Sequence, residues 1–186
     1  MEPRYKLISR EKVLEAHAFD VERIIFQLPD GKQRTYDLVD HANAVTLLPI
    51  DRQGNVYFVT QYRLGAEALV LELPAGVMDE GEMPVETARR ELREEIGMDC
   101  RELISLGGMY MVAGYSNEYM NLFLASDLLP SPLEQDEDEF LTLSIIPIRQ
   151  VFKMVREGVI QDGKTLCALF LAQPWLLKKY PDLLAD

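Results

Sequence analysis

Glu91, Glu94 and Glu95 fall within a single turn of any helix built on residues 84–98, and Arg89, Arg90 and Arg93 are interleaved with them. At about 100° per residue, the apolar positions Val85, Ala88, Leu92 and Ile96 share one stripe, which predicts the core side of that helix. The three carboxylates then occupy a flank beside the stripe. Like charges one turn apart cost roughly 0.2–0.5 kcal/mol per pair, so something must offset them. The three arginines are one solution, and they would make this an ordinary salt-bridged surface helix. A divalent cation is the other. Hard Mg²⁺ or Mn²⁺ prefers carboxylate oxygen and keeps several waters, so a substrate phosphate can join its shell. Gly76, Gly81 and Glu82 stand upstream in a turn-rich segment. A plain surface helix needs no such loop, which shifts the weight towards the cation and leaves the salt-bridged helix as the alternative.

The elements that must position these groups carry local signals. Pro84 suits the first helical turn, where its missing N–H costs nothing, and Gly97 stops the helix. Upstream, two β-rich runs in 19–39 flank Pro29-Asp30-Gly31 and predict a hairpin. Residues 44–50 and 56–62 flank a second turn and predict another. A short apolar stretch, 69–73, precedes Pro74, and 75–83 reads as a Gly- and acid-rich loop. Strand-like runs return at 103–111, 119–125 and 141–146. Helix-like pieces follow at 149–156 and 164–177, the latter interrupted by Pro174. Strands on both sides of a central helix predict a mixed α/β (α+β) domain. Residues 1–40 are expected to form a small sheet of their own, and 41–186 the catalytic domain.

Composition narrows the function classes. The chain has 186 residues, 48% of them hydrophobic, which excludes a disordered chain. A core of this size needs no disulfide or metal staple. No run approaches the roughly 18 apolar residues of a membrane span, and the polar N-terminus reads as a cytoplasmic start. With 19 Lys+Arg against 31 Asp+Glu, the net charge of −12 argues against nucleic acid as a partner. Cys100 and Cys167 lack CxxC spacing and read as reduced thiols. Two histidines exclude a His-rich zinc site.

The pattern Gly76-x5-Glu82-x7-Arg90-Glu91-Leu92-x-Glu94-Glu95-x-Gly97-Met98 resembles the Nudix box at every defining position. The resemblance implies a loop–helix–loop on an α/β/α sandwich with a mixed sheet, and hydrolysis of nucleoside diphosphates linked to a further moiety. It implies Glu91 and Glu95 as principal metal ligands, with the Ala75 carbonyl as another and Glu94 as a third ligand or a supporting carboxylate. Arg90 would orient Glu82 and the ligand carboxylates. Gln61-Tyr62-Arg63 and Glu72-Leu73-Pro74-Ala75-Gly76 look like the ADP-ribose pyrophosphatase branch, as does an N-terminal β-hairpin. In that branch the hairpin sheet is exchanged in a homodimer, and two aromatics clamp the adenine.

Phe19 and Tyr36 match those aromatics, and ordinary strand packing is the alternative for each. Arg63 matches a substrate contact or makes a strand-end salt bridge. Glu72 is either a substrate contact or a core-edge carboxylate. The acidic run 134–139 is a solvated loop or, by resemblance, the source of the general base. Glu139 is the best match and Glu137 the reserve. Residues 111–118 keep Gly114, Ser116 and Glu118 of a substrate-binding loop, but Ala113 stands where the branch usually has proline. The stretch from Asp127 to Pro130 resembles relatives that cleave other ADP-linked compounds.

These features lead to three expectations. The first is Mg²⁺-dependent (or Mn²⁺-dependent) hydrolysis of ADP-ribose or related ADP-sugars. The second is hydrolysis of NADH, diadenosine polyphosphates or GDP-sugars. The third is a non-catalytic nucleotide- or RNA-binding module, disfavoured by the intact carboxylates and the negative charge.

Overall fold

The computed structural model describes residues 4–134 and 140–182. The chain divides into two compact units. One takes the N-terminal residues through Asn43 together with Tyr110–Tyr119; the other takes Ala44–Met109 and the chain from Met120 onward.

The first unit is an antiparallel sheet of β1 (Lys6–Glu15), β2 (Asp20–Gln27) and β3 (Gln33–Asp40), in that order. β2 and β3 form the hairpin expected around Pro29-Asp30-Gly31, closed by Gly31 N–H to the Leu28 carbonyl at 2.9 Å. β1 is an addition that the sequence did not advertise. All ten of its residues are exposed, so no burial imposes the alternation by which a half-buried strand is recognised. Its cross-strand pairs Arg10–Glu22 and Lys12–Asp20 help fix the register on β2. The 110–119 segment docks on β3 of the same unit: Val39 N–H donates to the Tyr115 carbonyl at 2.8 Å, and Asn117 N–H to the Val39 carbonyl at 3.3 Å.

The second unit contains a seven-stranded mixed sheet. Its strands are β4 (Ala44–Ile50), β5 (Asn55–Arg63), β6 (Ala68–Glu72), β7 (Ala75–Val77), β8 (Met98–Tyr110), β9 (Tyr119–Pro130) and β10 (Thr142–Pro147). The main order is β10-β5-β4-β9-β8, with β6 on β5 and β7 on β4. β4 runs parallel to β9 and antiparallel to its other neighbours. The helices are α1 (Pro84–Glu95), α2 (Ile148–Arg156) and α3 (Gly163–Lys179). α1 and α3 both pack against β4. All seven β4 residues are buried, as a strand covered on both faces requires. The core under α1 is Val45, Leu47 and Val59 against Ala88, Leu92 and Ile96, with Cys100, Phe123 and Ala125.

Four sequence expectations change in detail. The hairpin of β4 and β5 pairs only at Ile50↔Val56 and then splays, because β6 and β7 take over the two free edges. The expected loop from Ala75 begins as strand β7. Val85 is 49% exposed; it lies in the first turn of α1, and the buried stripe starts with Thr87 and Ala88 instead. α3 continues through Pro174. The ring denies the Phe170 carbonyl its helical partner, but Phe170 is an exposed residue, and buried Ala172 and Leu176 anchor the helix on either side of the proline.

Candidate active site

α1 begins with Pro84 at its first position, and the Glu86 carboxylate reaches back to accept the Met83 N–H at 2.9 Å. It ends at Gly97, whose φ of +68° lies in the left-handed region that glycine occupies at no steric cost. Between these stops, Thr87, Glu91 and Glu95 recur at i, i+4 and i+8 and are buried beside the apolar stripe. The Ala75 N–H donates to Glu95 Oε2 at 3.0 Å. Gly76 lies so close to Glu91 that a Cβ built on it would come well under 3.0 Å from all three carboxylate atoms. The box glycine is therefore required by close approach, and the strand β7–helix α1 seam holds two buried carboxylates against the backbone of Ala75-Gly76.

Arg90 ties this seam together. Its Nε donates to Glu82 Oε1 at 3.2 Å and its Nη2 to Glu82 Oε2 at 3.1 Å, a two-pronged grip. Nη2 also donates to the Val77 carbonyl at 3.0 Å, and Nη1 to Glu91 Oε1 at 2.6 Å and Glu94 Oε2 at 2.9 Å. The guanidinium holds the Glu82 carboxyl down at about 2, helped by the Asp79 N–H at 3.1 Å. The same carboxylates raise the pKa of Arg90, so the staple stays fully charged at any working pH.

Among the described residues no three His, Cys, Asp or Glu side chains form a ready chelate, and carboxylates of the box surround Arg90 instead. The donor set nevertheless fits a hard divalent ion. It is all oxygen and includes the buried Glu91 and Glu95, and the Glu91 carboxylate stands where a Cβ on residue 76 would be. Glu139 and Glu137 lie outside the described residues.

The remaining expected residues fall into two groups. Arg63, at the end of β5, donates from Nε to Glu72 Oε1 at 2.8 Å. Glu72 is 1% exposed and also pairs with Lys164. Arg63 and Glu72 line a cavity of about 530 Å³ with Asp162 and Lys164. In the N-terminal unit, Tyr36 and Gly114 line one apolar cavity of about 300 Å³ together with Phe26, Ala113 and Tyr115. Phe19 is exposed and does not line it; Glu118 donates its N–H to the Ser116 hydroxyl at 3.2 Å. Lys164 and Asp162 were missed by sequence reasoning. The available signal was Asp162 three residues before Thr165, an N-cap pattern that marks the start of α3.

Comparison with known proteins places the chain in a family. The NUDIX domain profile matches residues 40–169. An ADP-ribose pyrophosphatase of Bacillus subtilis (strain 168) is 32% identical over 88% of this chain and 90% of its own length. The ADP compounds hydrolase NudE of Escherichia coli (strain K12) is 30% identical over 91% of this chain and 92% of its own. The crystal structure of an ADP compounds hydrolase superposes with a TM-score of 0.85 at 28% identity, covering 95% of this chain and 96% of that one. With the box motif, its two buried carboxylates and a profile spanning most of the sequence in agreement, this chain belongs to the Nudix family.

Proposed function

We propose that this protein hydrolyses the pyrophosphate bond of ADP-ribose or related ADP-sugars, releasing AMP and a sugar phosphate. The observation that carries the reading is the pair of buried carboxylates, Glu91 and Glu95, held against Ala75-Gly76 by Arg90 and the β7 backbone. Relatives named for hydrolysis of ADP-ribose and ADP compounds, matched over nearly the whole chain, support the substrate class. Nudix hydrolases generally need a divalent metal, here Mg²⁺ with Mn²⁺ as a substitute.

Glu91 and Glu95, with the Ala75 carbonyl, would hold the ion, and Glu94 would be a third or supporting carboxylate. The chemistry supplied by a divalent ion when bound is neutralisation of diphosphate charge and acidification of water. Arg90 and Glu82 keep the carboxylates aimed. Glu139 accepts the proton of the attacking water as its oxygen bonds to phosphorus and the P–O bond to the bridging oxygen breaks. Arg63 balances charge on the far phosphate, and Glu72 acts on substrate through Arg63. Phe19 and Tyr36 would flank the adenine, with Gly114 and Glu118 completing that end. We further propose a cytoplasmic homodimer built through the 1–40 sheet, with small nucleotides as substrates. No described helix is long and apolar enough to cross a membrane.

A second reading, hydrolysis of NADH, diadenosine polyphosphates or GDP-sugars, is favoured by Ala113, which replaces the usual proline and lines the cavity of Tyr36 and Gly114. The test is kcat/KM for AMP or GMP release with Mg²⁺ on ADP-ribose, ADP-glucose, NADH, diadenosine tetraphosphate and GDP-mannose. Preference for the two ADP-sugars is the expected result. Preference for NADH, a dinucleotide or GDP-mannose moves the specificity to the second reading, and no turnover of any overturns both.

A further inference from the structure

A charge cluster, buried at Glu72 and Lys164, sits at the opposite end of the segment that carries Ala75. Lys164, near the start of α3, is a buried lysine whose ammonium pairs with Glu72 and with Asp162 Oδ1, the latter at 3.1 Å. Arg63 grips the other oxygen of Glu72. The cluster therefore has two cations and two carboxylates and is neutral. A buried network of this kind gives weak net stability, because desolvation cancels most of the attraction, and apolar residues of similar volume often do as well. What it does supply is direction. Glu72 and Lys164 are matched only while their partners are in reach, so the pairs favour the arrangement of the chain that keeps them together.

That arrangement fixes the segment 72–75 step by step. Glu72 is held by Lys164 and Arg63. The Leu73 N–H donates to Thr165 Oγ1 at 2.9 Å. That hydroxyl in turn donates to Asp162 Oδ2 at 2.6 Å, and Asp162 also caps α3 by accepting the Thr165 N–H at 3.0 Å. The Pro74 carbonyl accepts the Leu47 N–H of β4 at 2.9 Å. The Ala75 N–H reaches Glu95 at 3.0 Å. Four consecutive residues are thus pinned to α3, β4 and α1 in turn, and the last contact is a carboxylate of the box.

We propose that Lys164 and Thr165 are positioning residues. As a clasp on Glu72-Leu73, the N-terminal turn of α3 sets where Ala75 and Gly76 stand relative to Glu91 and Glu95, and so sets the affinity of the box for its divalent ion. This rests on the function proposed above. Lys164 and Thr165 touch neither ion nor substrate in this role. Partners one step removed from a metal typically change affinity by about 10–100-fold when lost; this clasp acts further back, through the chain from Glu72 to Ala75, so about tenfold is the expected size.

The experiment is a titration of free Mn²⁺ by electron paramagnetic resonance on the protein without substrate, joined to kcat and KM for AMP release from ADP-ribose. Lys164→Met should weaken Mn²⁺ binding about tenfold and lower kcat more than it raises KM. Lys164→Arg should restore most of both. Thr165→Val, which keeps the shape and removes the hydroxyl that accepts from Leu73 and donates to Asp162, should weaken Mn²⁺ in the same direction and carries the test alone if Lys164→Met does not fold. Wild-type Mn²⁺ affinity in folded Lys164→Met or in Thr165→Val, with only the melting temperature lowered, overturns the clasp. A wild-type protein that binds no Mn²⁺ and cleaves no nucleotide overturns the proposed function itself, a result distinguishable from the former.

Discussion

Replacing Gly76 with alanine separates the working geometry of the box from its folding. The added Cβ would lie well under 3.0 Å from the Glu91 carboxylate, so that group must retreat by on the order of 1 Å to reach ordinary contact, a displacement that can cost about 100-fold in rate. The stability cost is smaller. The atoms in the way are the far end of a flexible side chain, so the strain falls at the low end of the 1–3 kcal/mol typical of overpacking. Alanine also orders more easily than glycine, which returns about 0.4–1 kcal/mol through the unfolded state. Gly76 is not among the positive-φ glycines, so alanine can take its backbone conformation. The expected outcome is a melting temperature within about 4 °C of wild type, a kcat/KM for AMP release down about 100-fold, and weakened Mn²⁺ binding. Unchanged kcat/KM and Mn²⁺ affinity would refute the reasoning, since Glu91 would then be free to move without consequence. A drop in melting temperature beyond about 10 °C would refute it differently, by making the loss one of folding.

Glu95→Gln should keep nucleotide binding by calorimetry and lose on the order of 100-fold or more of turnover; near wild-type turnover would leave only a salt-bridged helix. Chelation with EDTA should abolish turnover while circular dichroism and thermal melting barely move, because Leu92, Ala88 and Leu47 are buried without help from an ion; cooperative unfolding on chelation would contradict this. The folded Glu82 carboxyl titrates near 2 against an ordinary 4.5, so its stabilisation is present above pH 4.5 and is lost as pH falls from there towards 2. Glu82→Gln should therefore be less stable at pH 7, by about 1 kcal/mol after solvent screening, with the gap to wild type closing across that window; a constant gap in urea melts down to pH 2 would rule this out.

Much of the site was legible because its determinants are local. Pro84 and Gly97 fix the ends of α1 through backbone rules that hold in any context. The i, i+4 spacing of Glu91 and Glu95 puts both on one flank of whatever helix forms. The hairpin at Pro29-Asp30-Gly31 follows from turn chemistry. Other features were illegible because they depend on what packs nearby. β1 has no buried face and so no alternation to read. Val85 carries the right period for the core, yet the first turn of α1 stands clear of the sheet. Pro174 reads as a helix breaker, but burial on either side of it holds α3 together. The splaying of β4 from β5 is imposed by β6 and β7, which no turn signal announces.

The sequence by itself determined the chemistry of the box: which acids, on which helix, behind which loop. Those are properties of residue type and short spacing, and local physics preserves them. Only the tertiary structure decided how Gly76 meets Glu91, which two carboxylates of the cluster are buried, and that Lys164 reaches Glu72 across 92 positions of sequence. Such contacts are fixed when the sheet and helices pack, because close-packed interiors allow only one partner at each point.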